Sequence, residues 1–192
     1  MKIILASSSP RRKELLSLMG LEFEVVKPEN DEDMKQKIKF TKLSEILSEQ
    51  KAKEVFDKTN GDRIVIGSDC MVFSKNKLLG KPQDDKAAFD MIKLISGSWH
   101  KVVTGLCVMV ERNGEQKIYN THDVTKVKFK KLNTEAINDY LSKNDHSDKA
   151  GAYAIQGKAG MYVEKINGNL STVVGIPTHK LYDILKQENI LK

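Results

Sequence analysis

Cysteine is nearly absent from this chain. There are two, Cys70 and Cys107, in 192 residues, and no Cys-x-x-Cys pair. That excludes a disulfide framework, and with only four scattered histidines a zinc cluster has little support. Aromatic residues are also scarce. The single Trp, and the lack of any stripe of rings alternating with basic residues, leave no stacking platform for single-stranded nucleic acid. No apolar run approaches the roughly 20 residues of a membrane span. One lysine precedes the first apolar run, so no signal peptide and no membrane partner are expected, and a cytoplasmic location follows. No repeat, low-complexity tract or linker interrupts the chain, and 192 residues suffice for one large domain or two small lobes around one core, so a single domain over 1–192 is expected. What is present is positive charge. Lys and Arg total 32 against 26 Asp and Glu, a net charge of +6 that favours anionic ligands.

The stretch 3–20 is the most organised. Ile3, Ile4 and Leu5 read as a strand covered on both faces. Ser7, Ser8 and Ser9 form a hydroxyl-bearing loop, with Ser9 as N-cap and Pro10 in the first helical position. Leu15, Leu16, Leu18 and Met19 follow helical spacing, and Gly20 suits a left-handed C-terminal cap. Arg11, Arg12 and Lys13 then occupy the positive end of the helix dipole, where each cation costs about 0.3–1 kcal/mol. A bound phosphate reverses that sign, because each charge-assisted hydrogen bond to it returns about 1.5–3 kcal/mol.

Along the chain, 23–26 reads as a second strand, and 28–33 as an acidic loop whose oxygens suit a hard divalent cation. A helix is expected over 41–56, with Leu43, Ile46, Leu47 and Val55 on one side and Lys51 among them. Residues 63–73 form an apolar strand carrying Asp69 in its middle, where a carboxylate is expensive unless paired or metal-bound. Gly67 leaves room there for close backbone approach. Residues 75–77 form a hairpin tip, and Gly80-Lys81-Pro82-Gln83 is a stiff loop presenting a lysine. Asp84 or Asp85 caps a helix with Ala88, Met91, Ile92 and Ile95. Strands are expected over 99–110 and 116–129 around an Asn113-Gly114 turn, with Thr125, Val127 and Phe129 inward. Asn133 or Thr134 caps a further helix. The long loop 147–160 lets backbone approach a ligand at its glycines and offers Tyr153 and Gln156 to a flat polar molecule. Residues 161–166 and 170–174 form a last hairpin, and a helix follows Pro177.

Three polar anomalies result: the cations Arg11, Arg12 and Lys13 at a helix start, Asp69 within a strand, and Lys81 in a rigid loop. Cations for a polyphosphate and a carboxylate for a water or metal are the requirements of phosphoanhydride hydrolysis. No Gly-Lys-Ser or Gly-Lys-Thr Walker pattern appears.

At this point the sequence resembles the Maf family of nucleoside triphosphate pyrophosphatases over nearly its whole length. The resemblance rests on Ala6-Ser7-Ser8-Ser9-Pro10-Arg11-Arg12, Glu14-Leu15-Leu16, Asp31-Glu32, Gln50-Lys51-Ala52, Gly67-Ser68-Asp69 and Leu79-Gly80-Lys81-Pro82. It continues through Ser96-Gly97, His100-Lys101-Val102-Val103-Thr104-Gly105, Asp148-Lys149-Ala150-Gly151-Ala152-Tyr153, Ile155-Gln156-Gly157 and Val173-Val174-Gly175-Ile176-Pro177. It implies an ITPase-like α/β fold, a long mixed twisted sheet flanked by helices with two lobes and a central cleft, often as a homodimer. It implies hydrolysis between the α- and β-phosphates of a nucleoside triphosphate with Mg²⁺ or Mn²⁺. In that reading Ser7, Arg11, Arg12, Lys51 and Lys81 hold the triphosphate, and Asp69 is the general base. Glu32 and Asp69 hold the metal, and Asp85 is a candidate to assist.

Arg11, Cys70 and Gln156 stand at the positions that mark base choice in the family. Arg11 and Gln156 resemble the branch acting on dTTP and UTP. Cys70 replaces the usual Thr, and Ser68 and Ala154 replace residues that are more often Ala and Gly. The alternatives are a nucleotide-binding regulator of cell division without turnover, and a pyrophosphatase for modified purine nucleotides.

Overall fold

The computed structural model describes residues 1–29, 39–142 and 146–191. In chain order the strands are β1 (Lys2–Ala6), β2 (Glu24–Val26), β3 (Arg63–Ser74), β4 (Lys77–Leu79), β5 (Trp99–Arg112), β6 (Glu115–Phe129) and β7 (Val163–Asn167). The α-helices are α1 (Pro10–Leu18), α2 (Phe40–Asp57), α3 (Asp85–Ile95), α4 (Thr134–Leu141), α5 (Leu170–Val174) and α6 (Thr178–Gln187), with 3₁₀ turns at Ala150–Ala152 and Lys158–Tyr162. The strands make a seven-stranded mixed sheet ordered β2-β1-β3-β5-β6-β7, with β4 added to β3. β1 runs parallel to β2 and β3, and β4 and β7 run antiparallel to β3 and β6. The expected mixed sheet flanked by helices is therefore present. No helix of the described residues is long and apolar enough to cross a membrane.

The chain divides into two compact units. The first comprises Met1–Asp69, Thr104–Asp123 and Gly175–Lys192, and the second Cys70–Val103 and Val124–Val174.

In the first unit both faces of the sheet are covered, which is why β1 and β3 read as unbroken apolar runs. Ile3, Leu5, Ile64, Ile66, Leu106 and Val108 pack with Leu16 of α1 and Leu181, Ile184 and Leu185 of α6. The alternate residues Ile4, Ala6, Val65, Cys107 and Met109 pack with Ala52, Val55 and Phe56 of α2. α1 starts at Pro10 as expected. Ser9 makes no side-chain cap, however; the hydroxyl of Ser7 instead accepts the Ser9 N–H at 3.1 Å. Gly20, at φ +72°, ends the helix. Its N–H bonds the Ser17 carbonyl and that of Leu21 bonds the Leu16 carbonyl, the paired 5→2 and 6→1 bonds of a Schellman ending.

In the second unit Ala88, Ile92 and Ile95 of α3 and Ile137, Tyr140 and Leu141 of α4 pack with Val72, Leu79, Val102, Val127 and Phe129. The side chains of Asp84 and Asn133 cap α3 and α4, accepting the N–H groups of Ala87 and Ala136. Thr125, Val127 and Phe129 are buried as their alternation predicts.

Two expectations fail in this unit. The expected last hairpin is not formed: β7 pairs with β6, and residues 170–174 are the short helix α5. The hydroxyl of Thr125 accepts the Asn169 N–H and donates to the Asn169 carbonyl, and Gly168 at φ +123° turns the chain there, so no returning ladder can start. Tyr153 is the second. Its ring is buried edge-on against His100 and Phe129 and is not offered to a ligand. Two glycines of loop 147–160 are closely packed by the protein itself: a Cβ on Gly151 would meet Val72 and one on Gly160 the Ile155 carbonyl.

Candidate active site

β1 delivers the serine loop beside β3. Ala6 stands opposite Gly67 in the parallel ladder, so Ser7 leaves the sheet next to the residues that lead into Asp69. Ser7 is buried, and its oxygen also accepts from Arg12 Nη1 at 3.2 Å. Arg12 Nε donates to the Gly175 carbonyl at 3.1 Å. The same carbonyl accepts from Ser68 Oγ at 2.7 Å, and that hydroxyl also reaches the Gly105 carbonyl at 2.8 Å. Arg12 is thus fixed by the fold. Arg11, one residue earlier and half-buried, makes no hydrogen bond or ion pair among the described residues. No acidic residue offsets the first turn of α1. Its leading N–H groups have no partner within the helix, so this end can hold an anion.

The other pair lies on the α2 face. Strand alternation puts Asp69 on the same face as Gly67 and opposite to Ser68. α2 rests directly on the backbone there. A Cβ on Gly67 would lie 2.3 Å from the Ser48 carbonyl, and one on Gly105 would lie 2.0 Å from that of Ser44. Ser44, Ser48 and Ala52 are small and fully buried, and the two hydroxyls are satisfied inside the helix by the carbonyls of Thr41 and Glu45. This contact brings Lys51 Nζ to 2.5 Å from Asp69 Oδ1. Lys51 therefore finds an anion, and Ile46, expected on the buried side, is only half-buried while Ser44 and Ser48 take its place. The second Asp69 oxygen is not engaged by any described residue.

The remaining candidates lie elsewhere. Lys81 sits exposed in the loop between β4 and α3, and Gln156 is exposed in a turn at 155–157. Cys70 packs against the apolar core of the second unit, with Sγ 4.0 Å from the Thr172 carbonyl. Asp85 opens α3 and receives a hydrogen bond from His146 Nε2 at 3.0 Å. Glu32 lies outside the described residues. The structure thus joins Ser7 to Arg12 and Lys51 to Asp69. Sequence reasoning missed Ser68, Gly175, Gly105 and His146, whose partners are remote in sequence; the small stripe at 44, 48 and 52 was the one readable signal.

Three further titratable groups are buried away from these pairs. Burial pushes the Cys107 thiol up to about 12, with Glu49 adding to the shift, so it is no nucleophile. Among the described residues neither cysteine forms a disulfide. Burial pushes His100 down to about 4; it bonds the Tyr153 hydroxyl at 2.7 Å, and the Tyr153 hydroxyl is itself held well above its ordinary value by burial. Among the described residues no group of three or more His, Cys, Asp or Glu is placed to hold a metal. A single hard carboxylate with one unengaged oxygen fits a cation that keeps several waters and takes further oxygens from a phosphate substrate.

Curated relatives match this chain end to end. It is 44% identical over 191 residues to a dTTP/UTP pyrophosphatase of Aquifex aeolicus, covering 100% of this chain and 97% of the relative. It is 45% identical over 188 residues to one from Thermoanaerobacter, covering 98% and 97%. It is 42% identical over 193 residues to one from Clostridium perfringens, covering 99% and 98%. Among solved structures, the Ham1 protein of Staphylococcus aureus aligns over 98% of this chain and 100% of its own with 13% identity and a TM-score of 0.47, a likeness too loose to bear on the site. Residues 2–188 match the family described as Maf-like protein, and the chain belongs to that family.

Proposed function

We propose that this protein hydrolyses the α–β phosphoanhydride of a pyrimidine nucleoside triphosphate, dTTP or UTP, to the monophosphate and pyrophosphate. The observation that carries the reading is the Lys51–Asp69 pair, on a strand whose Gly67 stands opposite the Ala6 that leads into the serine loop, in a chain whose relatives bear that activity in their names.

The assignment of roles follows from charge and geometry. Arg11, Arg12 and Lys51, with Lys81, offset the charge of the triphosphate by charge-assisted contacts, and Ser7 adds a hydroxyl. Lys51 holds Oδ1 of Asp69, which orients the carboxylate. Its other oxygen accepts a proton from water as the water oxygen bonds to phosphorus and the bridging P–O bond breaks. Pyrophosphate leaves with the electron pair of that bond, and the proton on Asp69 returns to solvent. A divalent cation, Mg²⁺ or Mn²⁺, with Asp69 and Glu32 as its protein ligands, would supply neutralisation of the charge on the leaving pyrophosphate. Gln156 and Arg11 serve base choice, and Cys70 modifies it by replacing a hydroxyl with a thiol.

The test is pyrophosphate release from a panel of nucleoside triphosphates, with and without divalent cation. Release from dTTP and UTP ahead of purine nucleotides is expected. A folded protein that binds nucleotide and releases nothing would instead be a non-catalytic binder.

A further inference from the structure

The loop that carries Lys81 is tied at both ends to one segment of the second unit. At its start the Gly80 carbonyl accepts the N–H of Gly151 at 3.0 Å. At its end Asp85 Oδ1 receives the hydrogen bond of His146 Nε2 at 3.0 Å. The stretch from His146 to Gly151 is itself held by two consecutive turns, in which the Lys149 N–H bonds the His146 carbonyl and the Ala152 N–H bonds the Lys149 carbonyl. Between the two ties stand only Lys81, Pro82, Gln83 and Asp84, with Pro82 restricting the backbone further.

The tie at Asp85 is unusual in its burial. The His146 side chain is 3% exposed and that of Asp85 is 84% exposed. A solvated carboxylate at a helix start needs no such partner, since water and the helix dipole already satisfy it. A carboxylate only accepts, so Nε2 carries the hydrogen. His146 Nδ1 is buried without a partner among the described residues, a cost that a purely structural side chain at this position would avoid by being apolar. The imidazole is held by packing and reaches outward to one atom.

We propose that His146 is a positioning residue for Lys81. It acts through Asp85, whose part is to anchor the loop. This rests on the reading of Lys81 as a triphosphate ligand given above. Loss of the tie frees one end of the loop and spreads the ammonium over more positions, which weakens substrate binding more than the chemical step.

The experiment measures kcat and KM for pyrophosphate release from UTP in the wild type, His146→Ala, His146→Gln, Asp85→Ala, Lys81→Ala and the double variant His146→Ala with Lys81→Ala. Circular dichroism and thermal unfolding accompany each variant. His146→Ala should raise KM about tenfold with kcat within about twofold, as expected for a displaced binding group. His146→Gln, which keeps a donor near the Nε2 position, should recover most of the loss. Asp85→Ala breaks the same bond at the surface without opening a cavity and should match His146→Ala, which keeps the test valid if His146→Ala folds poorly. In the Lys81→Ala background His146→Ala should change KM by less than about twofold, the signature of coupled residues. An equal KM rise with and without Lys81, no KM rise in folded Asp85→Ala, or no recovery in folded His146→Gln would overturn the positioning role while leaving the pyrophosphatase reading intact. A wild type that releases no pyrophosphate would overturn both.

Discussion

Lys51 and Lys81 share one proposed task, contact with the triphosphate, yet the protein holds them in opposite ways. Lys51 sits in the middle of an 18-residue helix that touches the sheet backbone at Gly67 and Gly105. Its partner Asp69 belongs to an inner strand, and both side chains are largely buried. Lys81 is exposed in a loop, and hydrogen bonds at Gly80 and Asp85 limit its travel. In the first case position is set by close packing with no intervening side chain, which leaves nothing to relax. In the second it is set by two bonds, each of which a single substitution removes. On the proposed roles, the group that holds the reacting carboxylate is placed by packing, and the one that meets the flexible substrate is placed by ties.

The largest effect that sharpens this contrast is expected at the carboxylate itself. Asp69→Asn should keep its fold and lose about a thousandfold in turnover, within the range for a general base. Undiminished pyrophosphate release from that folded variant would remove the role from Asp69. Next comes the packing that seats Lys51. Gly67→Ala places a methyl 2.3 Å from a backbone carbonyl, and should destabilise by about 3 kcal/mol in urea unfolding with a parallel fall in turnover. Gly80→Ala, where a Cβ meets nothing within 4 Å, should stay within about 0.5 kcal/mol. Equal losses at the two glycines would break the comparison.

An acid effect belongs to the second unit. The His100 value falls from 6.5 to about 4 because burial disfavours the charged ring. The unfolded chain takes up this proton below about pH 6.5 and the folded chain only near 4, so the contribution is complete above pH 6.5. It is lost as pH falls through that window, by at most about 3 kcal/mol. Urea unfolding at pH 7 and 4.5 should show a slope that His100→Gln flattens. The smallest expected effect is at Gln156. Gln156→Ala should narrow the preference for UTP over ATP by about tenfold while slowing UTP less, and equal losses on both nucleotides would count against a base-reading role.

Much of the fold was legible because it depends on neighbours a few residues apart. The strand, serine loop and helix of 3–20, the Asn113-Gly114 turn and the inward set Thr125, Val127 and Phe129 follow from periodicity and turn chemistry, which also narrowed the caps to Asp84 or Asp85 and Asn133 or Thr134. The exceptions are instructive. The β-branched run at 170–174 reads as a strand, and it becomes helix because Thr125, 44 residues earlier, binds both backbone groups of Asn169. Ser9 stands in the cap position, but Ser7 supplies the hydroxyl oxygen there.

By itself the sequence determined which residue types are out of place: cations at a helix start, an acid inside an apolar strand, a lysine in a stiff loop. Those follow from local propensity and the cost of burying charge. Only the tertiary structure decided what each one meets. Ser68 finds Gly175 at a separation of 107 residues, Arg12 finds it at 163, and Asp85 finds His146 at 61. A hydrogen bond or a backbone contact over such distances leaves no periodic trace in the chain, because it depends on the shape of two surfaces that exist only once the sheet has formed.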